Sequence, residues 1–121
     1  MNNNLAICFI GPPGVGKTTL GCAIASIYGF EYIDQDQFAY PNQTCGDVNK
    51  FIECISTTLI STSIIIGKSH HNKKTRKTTK NIIKKYTSNI LWINLYPDII
   101  TEHFTQTCVT RASNRHNHLT V

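Results

Sequence analysis

The sequence predicts an α/β fold, a three-layer sandwich with a mostly parallel sheet of about four strands. Three observations predict it. Apolar runs at about residues 5–10, 30–33, 61–67 and 89–95 read as strands, and the stretches between them carry apolar residues at helical spacing. The run Ile64-Ile65-Ile66 is continuous and β-branched, which suits a strand buried on both faces of a parallel sheet. Strict strand–helix alternation calls for crossover connections that place helices on both faces. At 121 residues the chain reads as one domain, 1–121, and its 40% hydrophobic content is enough for a modest core.

The first strand, 5–10, runs into Gly11-Pro12-Pro13-Gly14-Val15-Gly16-Lys17-Thr18-Thr19. This fits the phosphate-loop pattern G-x-x-x-x-G-K-[ST] without a mismatch, and the helix expected at 17–28 completes its strand–loop–helix context. Glycines let the backbone curl until its N–H groups face phosphate oxygens, and the helix N-terminus adds partial positive charge. Lys17 is expected to reach the outer phosphates and the Thr18 hydroxyl to ligate Mg²⁺. Gly29 is the expected C-cap.

The second strand, 30–33, ends in Asp34-Gln35-Asp36-Gln37-Phe38. Ligands of open α/β sheets bind at such C-terminal strand edges. With this strand next to the phosphate-loop strand, alternation would point Asp34 and Asp36 to one side, near the Mg²⁺ and an acceptor. A helix is expected over 47–59, with Asp47 as N-cap and Val48, Phe51, Ile52, Ile55 and Leu59 on one face. The third strand, 61–67, ends in Gly67-Lys68, where a motor-type ATPase would carry a carboxylate. A helix at about 73–86 and a strand at 89–95 follow. Pro97 suits the first turn of a last helix, 98–115. Arg111 and Arg115, four residues apart, share a face of it and could grip phosphates. Residues 117–121 could begin a fifth strand.

Net charge is +5 and the pI near 9.0. Eight of the twelve Lys and Arg residues fall between Lys68 and Lys85, and no acid lies between Glu53 and Asp98. That local field would attract a polyanion. The five cysteines show no C-x-x-C pair, so mostly buried free thiols in a reducing intracellular compartment, cytoplasmic or nuclear, are expected. The start Met1–Asn4 lacks the charged region of a signal peptide, and no apolar run reaches membrane-span length. His70-His71 read as polar loop residues. His116-Asn117-His118 spells a nuclease motif without the ββα context that such a nuclease needs.

Four segments in order resemble the polynucleotide kinase domain of fungal tRNA ligases, which phosphorylates an RNA 5′-OH. They are the phosphate loop, Ile33–Phe38, Ile64–Lys73 with its basic helix, and Arg111–His118. The resemblance implies Asp36 as general base, Arg111 and Arg115 as an arginine lid, and GTP or ATP as donor with Mg²⁺. It also implies an RNA acceptor, such as a tRNA exon or a broken 5′-OH end, with a ligase module as partner. The family's third-strand Asp is Gly67 here, its Arg is Lys68, and the second Asp of its pair is Gln37. The lid is one residue short, and the strand that follows it in the family has no counterpart.

The expected function is therefore NTP-dependent phosphorylation of a polynucleotide 5′-hydroxyl, with no membrane involvement. Asp36, Lys17, Arg111 and Arg115 would be catalytic. Gly11, Pro12, Pro13, Gly14, Val15, Gly16, Lys17, Thr18 and Thr19 would bind the nucleotide. Thr18 and Asp34 would hold the metal, and Lys68, His71, Lys73 and Arg76 the acceptor. Two alternatives stand beside it: a non-catalytic nucleotide- or RNA-binding module, and a small-molecule kinase.

Overall fold

The structure is a computed structural model that describes residues 2–12, 14–38, 47–70, 72–97 and 99–119, with the backbone alone at residues 2, 36 and 114–119. Alternation along the strands builds it outward from one sheet. β1 (Asn2–Ile10) lies between β3 (Ile64–Ile66) and β4 (Thr87–Asn94), and β2 (Glu31–Ile33) flanks β3. All pairings are parallel, in the order β2-β3-β1-β4, with Ile7 opposite both Ile65 and Leu91.

Successive side chains on a strand face opposite ways. Ala6, Cys8, Ile64 and Ile66 therefore join Phe51, Ile55 and Leu59 of α2 (Val48–Ser61) and Ile83 of α3 (Lys73–Ile83). Ile7, Phe9 and Ile65 turn the other way, against Ile24 and Ala25 of α1 (Lys17–Tyr28) and Tyr32. Both faces of the central strands are buried, which explains their continuous apolar reading. The expected caps form: Gly29 ends α1, and the Asp47 carboxylate accepts from the Lys50 amide at the start of α2.

Several boundaries differ from the sequence reading. β1 begins at Asn2 rather than residue 5. Asparagine is a poor strand former, but here the Asn4 side-chain amide donates to Leu59 O, and the Leu5 amide donates to Ser63 Oγ. The pairing of β1 with β4 is irregular between Asn2 and Leu5, and the buried Thr87 hydroxyl donates to Asn4 O there, 2.6 Å away. Past β4, Asn94 Oδ1 accepts from the Tyr96 amide, turning the chain. The last helix, α4 (Glu102–Leu119), starts four residues later than expected, because Thr101 rather than Pro97 sets its entry by accepting from the Phe104 amide. Residues 117–119 belong to α4 and are not a fifth strand. Cys8 and Cys108 are buried, Cys54 is half-buried and Cys22 is exposed; Cys45 lies outside the described residues.

Candidate functional site

The parallel sheet brings the C-terminal ends of all four strands to one edge, and the phosphate loop sits there between β1 and α1. Gly16, at φ 104°, is the N-cap of α1. Glycine has no side chain with which to cap, so the first-turn amides of α1 are left to an external anion. The Lys17 side chain is buried and bends back over the loop, its Nζ donating to Pro12 O (2.8 Å) and Gly11 O (3.2 Å). The amine is thus held at the loop by weak carbonyl partners that a phosphate oxygen could replace. The loop is tied to the neighbouring strand end, since the Gly11 amide donates to Ser69 O at 3.1 Å.

Gly14, at φ 81°, faces the backbone of α4, and a Cβ there would overlap Cys108 O and crowd Ala112 N. α4 is therefore seated directly on the phosphate loop. An apolar cavity of about 340 Å³ remains beside the contact, lined by Pro12, Tyr96, Ile100 and Phe104 among others. Arg111 is exposed on α4, and the Arg115 backbone lies one turn further on.

β3 separates β2 from β1, so the second strand is not the immediate neighbour of the phosphate-loop strand. Asp34 reaches the loop through an intermediary. The Tyr32 hydroxyl lies 3.1 Å from Asp34 Oδ2 and 3.3 Å from Thr18 Oγ1, joining carboxylate and loop hydroxyl across the end of β3. β2 stops at Ile33, and residues 35–38 form a 3-10 turn (Gln35–Phe38). Strand alternation thus does not set the relation of Asp34 to Asp36. The Gln37 side chain accepts from the Asp34 amide within this turn. The Asp36 side chain, His71 and Pro13 lie outside the described residues.

The expected acceptor residues take different places. Lys68 is half-buried, its Nζ 5.8 Å from the Phe51 ring centroid, and burial lowers its pKa. Arg76 donates from Nη1 to His70 O at 3.0 Å, bracing the loop between β3 and α3. Lys73 is exposed at the start of α3, behind the Asn72 cap.

His70 is a fully buried clamp and not a polar loop residue. Nδ1 lies 2.9 Å from Phe9 O and Nε2 2.9 Å from Thr79 Oγ1. A carbonyl only accepts, so Nδ1 carries the proton and Nε2 accepts from the threonine. The ring meets Trp92 edge-on at 5.3 Å. Burial, aided by the charges of Lys68 and Arg76, lowers its pKa to about 4. Neither His70 nor Tyr32 carries a local sequence signal, since His70 binds Phe9 of β1 and Thr79 of α3, and Tyr32 reaches across to Thr18 of α1.

Among the described residues no three of His, Cys, Asp and Glu gather as a metal cluster, and no helix is long and apolar enough to cross a membrane.

The structure is similar to a gluconokinase from Sinorhizobium meliloti 1021, with TM-score 0.60 and 17% identity over 98% of this chain and 69% of that one. It is equally similar to a fungal RNA kinase, with TM-score 0.59 and 14% identity over 98% of this chain and 61% of that one. Identities this low establish the shared fold, that of P-loop kinases. A stretch of 27 residues, 22% of the chain, is 56% identical to Lon protease 2 of Herpetosiphon aurantiacus, and spans only 3% of that protein's length. Residues 7–115 match the ATPase family associated with various cellular activities (AAA). The match runs from within β1, through the phosphate loop, to the penultimate turn of α4, and the chain belongs to that family.

Proposed function

We propose that the protein transfers the γ-phosphate of ATP or GTP to the 5′-hydroxyl of an RNA. The observation that carries this reading is the link from the Thr18 hydroxyl through Tyr32 to Asp34. It draws the acidic end of β2 to the phosphate loop, where a kinase needs its acceptor machinery. The basic face of α3, rising from the same sheet edge, favours a polyanionic acceptor.

The donor set suits Mg²⁺: a hydroxyl and a carboxylate supply hard oxygens, and this ion commonly takes one or two protein oxygens plus water and phosphates. Thr18 and Asp34 would hold it, and it would offset the charge between the β- and γ-phosphates. Lys17 and the loop amides bind the phosphates. Asp36 accepts the proton of the acceptor hydroxyl while its oxygen bonds to the γ-phosphorus and the bond to the β-phosphate oxygen breaks, releasing the nucleoside diphosphate. Arg111 and Arg115 neutralise the transferring group, and Lys68, His71, Lys73 and Arg76 hold or position the acceptor strand.

The test is transfer of label from γ-labelled GTP or ATP to a 5′-OH RNA oligonucleotide. Lys17→Ala is expected to lower transfer by about 10²-fold or more, and Asp36→Ala by about 10²–10⁴-fold. Unlabelled RNA, with the nucleotide still bound through Lys17, would retire the kinase in favour of a nucleotide-binding module. Gly67 is the specific observation behind that second reading, because no carboxylate stands at the end of β3. Label passing only to a small polyol or sugar would identify a small-molecule kinase.

A further inference from the structure

We propose that Tyr32 stands in for the carboxylate missing at the end of β3, acting as the positioning residue of the Thr18 metal ligand. Two glycines on separate elements make room for its ring. A Cβ on Gly67, just past β3, would overlap Tyr32 Oη and Cζ. A Cβ on Gly21, in α1, would overlap Cδ2 and Cε2 of the same ring. Any side chain at position 67 and the Tyr32 phenol therefore compete for one space.

The hydroxyl delivered there has one proton and two partners. A carboxylate only accepts, so the phenol proton serves Asp34 Oδ2 at 3.1 Å, while the same hydroxyl stays within hydrogen-bond reach of Thr18 Oγ1 at 3.3 Å. Tyr32 thus links Thr18 and Asp34 through one hydroxyl. The contact restrains the rotamer of the Thr18 side chain, and a fixed rotamer is what a metal ligand needs. A second-strand tyrosine thereby does the orienting work that a third-strand acid would do, and Gly67 is its structural counterpart rather than a simple loss.

This inference rests on the nucleotide-binding reading of the loop. The test is Tyr32→Phe, which keeps the ring between the glycines and removes only the hydroxyl. Binding of a fluorescent nucleoside diphosphate would be measured against Mg²⁺ concentration and in EDTA. The half-saturating Mg²⁺ is expected to rise about tenfold, as for other groups that orient a metal ligand, while affinity in EDTA changes less than twofold. An unchanged Mg²⁺ dependence overturns the proposal and leaves the nucleotide reading intact. Wild-type protein that binds no nucleotide overturns both. In the pair Tyr32→Ala and Tyr32→Ala/Gly67→Asp, the added carboxylate is expected to recover Mg²⁺ sensitivity. A double variant no better than Tyr32→Ala alone would count against the exchange.

Discussion

His70 is held in an unusual backbone state, at φ 50°, a left-handed conformation that costs a residue with a Cβ about 1–2 kcal/mol. Two ring hydrogen bonds and the Arg76 contact to its carbonyl hold it there. The folded protein keeps the ring neutral down to about pH 4, whereas an unfolded chain takes up the proton near 6.5. Between those values the unfolded state binds more protons. Stability is therefore complete above about pH 6.5 and falls as pH drops toward 4, by on the order of 3 kcal/mol. Urea midpoints from pH 7 to pH 5 are expected to fall less steeply for His70→Asn, which tolerates the backbone state but cannot titrate, than for wild type. Equal slopes would show that other groups govern acid lability. The sequence made Lys17 and Thr18 legible because a phosphate loop is a local pattern. It hid His70 and Tyr32 because their partners lie 61 and 14 positions away.

Among the elements, α2 was the most legible, since Asp47 caps it and its buried residues Phe51, Ile55 and Leu59 repeat at helical spacing. Leu59 is fully buried between α2 and the sheet, so Leu59→Ala is expected to cost about 2–5 kcal/mol, read from the denaturation midpoint at unchanged slope. A smaller loss would mean that the β1–β3 layer relaxes into the cavity. The start of β1 was not legible, because long-range side-chain bonds from Asn4 and Thr87 override a weak local propensity. Strand order was hidden as well. β2 and β3 are three residues each, too short for pattern to say which borders β1, and that order decides how Asp34 reaches the loop.

Over the whole molecule, positive charge gathers on one side of the sheet. Lys80 and Lys84 of α3 line a groove of about 580 Å³ with Ser88, Ile90 and Trp92 of β4. Trp92 is the sole tryptophan, so its fluorescence reports on that groove. Single-stranded RNA is expected to change the emission and to bind more weakly as salt rises. The Lys80→Ala/Lys84→Ala variant should lower the slope of log affinity against log salt by about 1.4, at roughly 0.7 per lost phosphate contact. An unchanged slope would place the RNA elsewhere. The sheet's other boundary has a different consequence. Among the described residues β2 closes one side with three residues, but β4 closes the opposite side with eight, Thr87–Asn94, which carry no charge and no proline. Such an edge is a template for another strand. Concentrated protein is therefore expected to be lost first by lateral strand pairing along β4, a colloidal failure that can precede any unfolding.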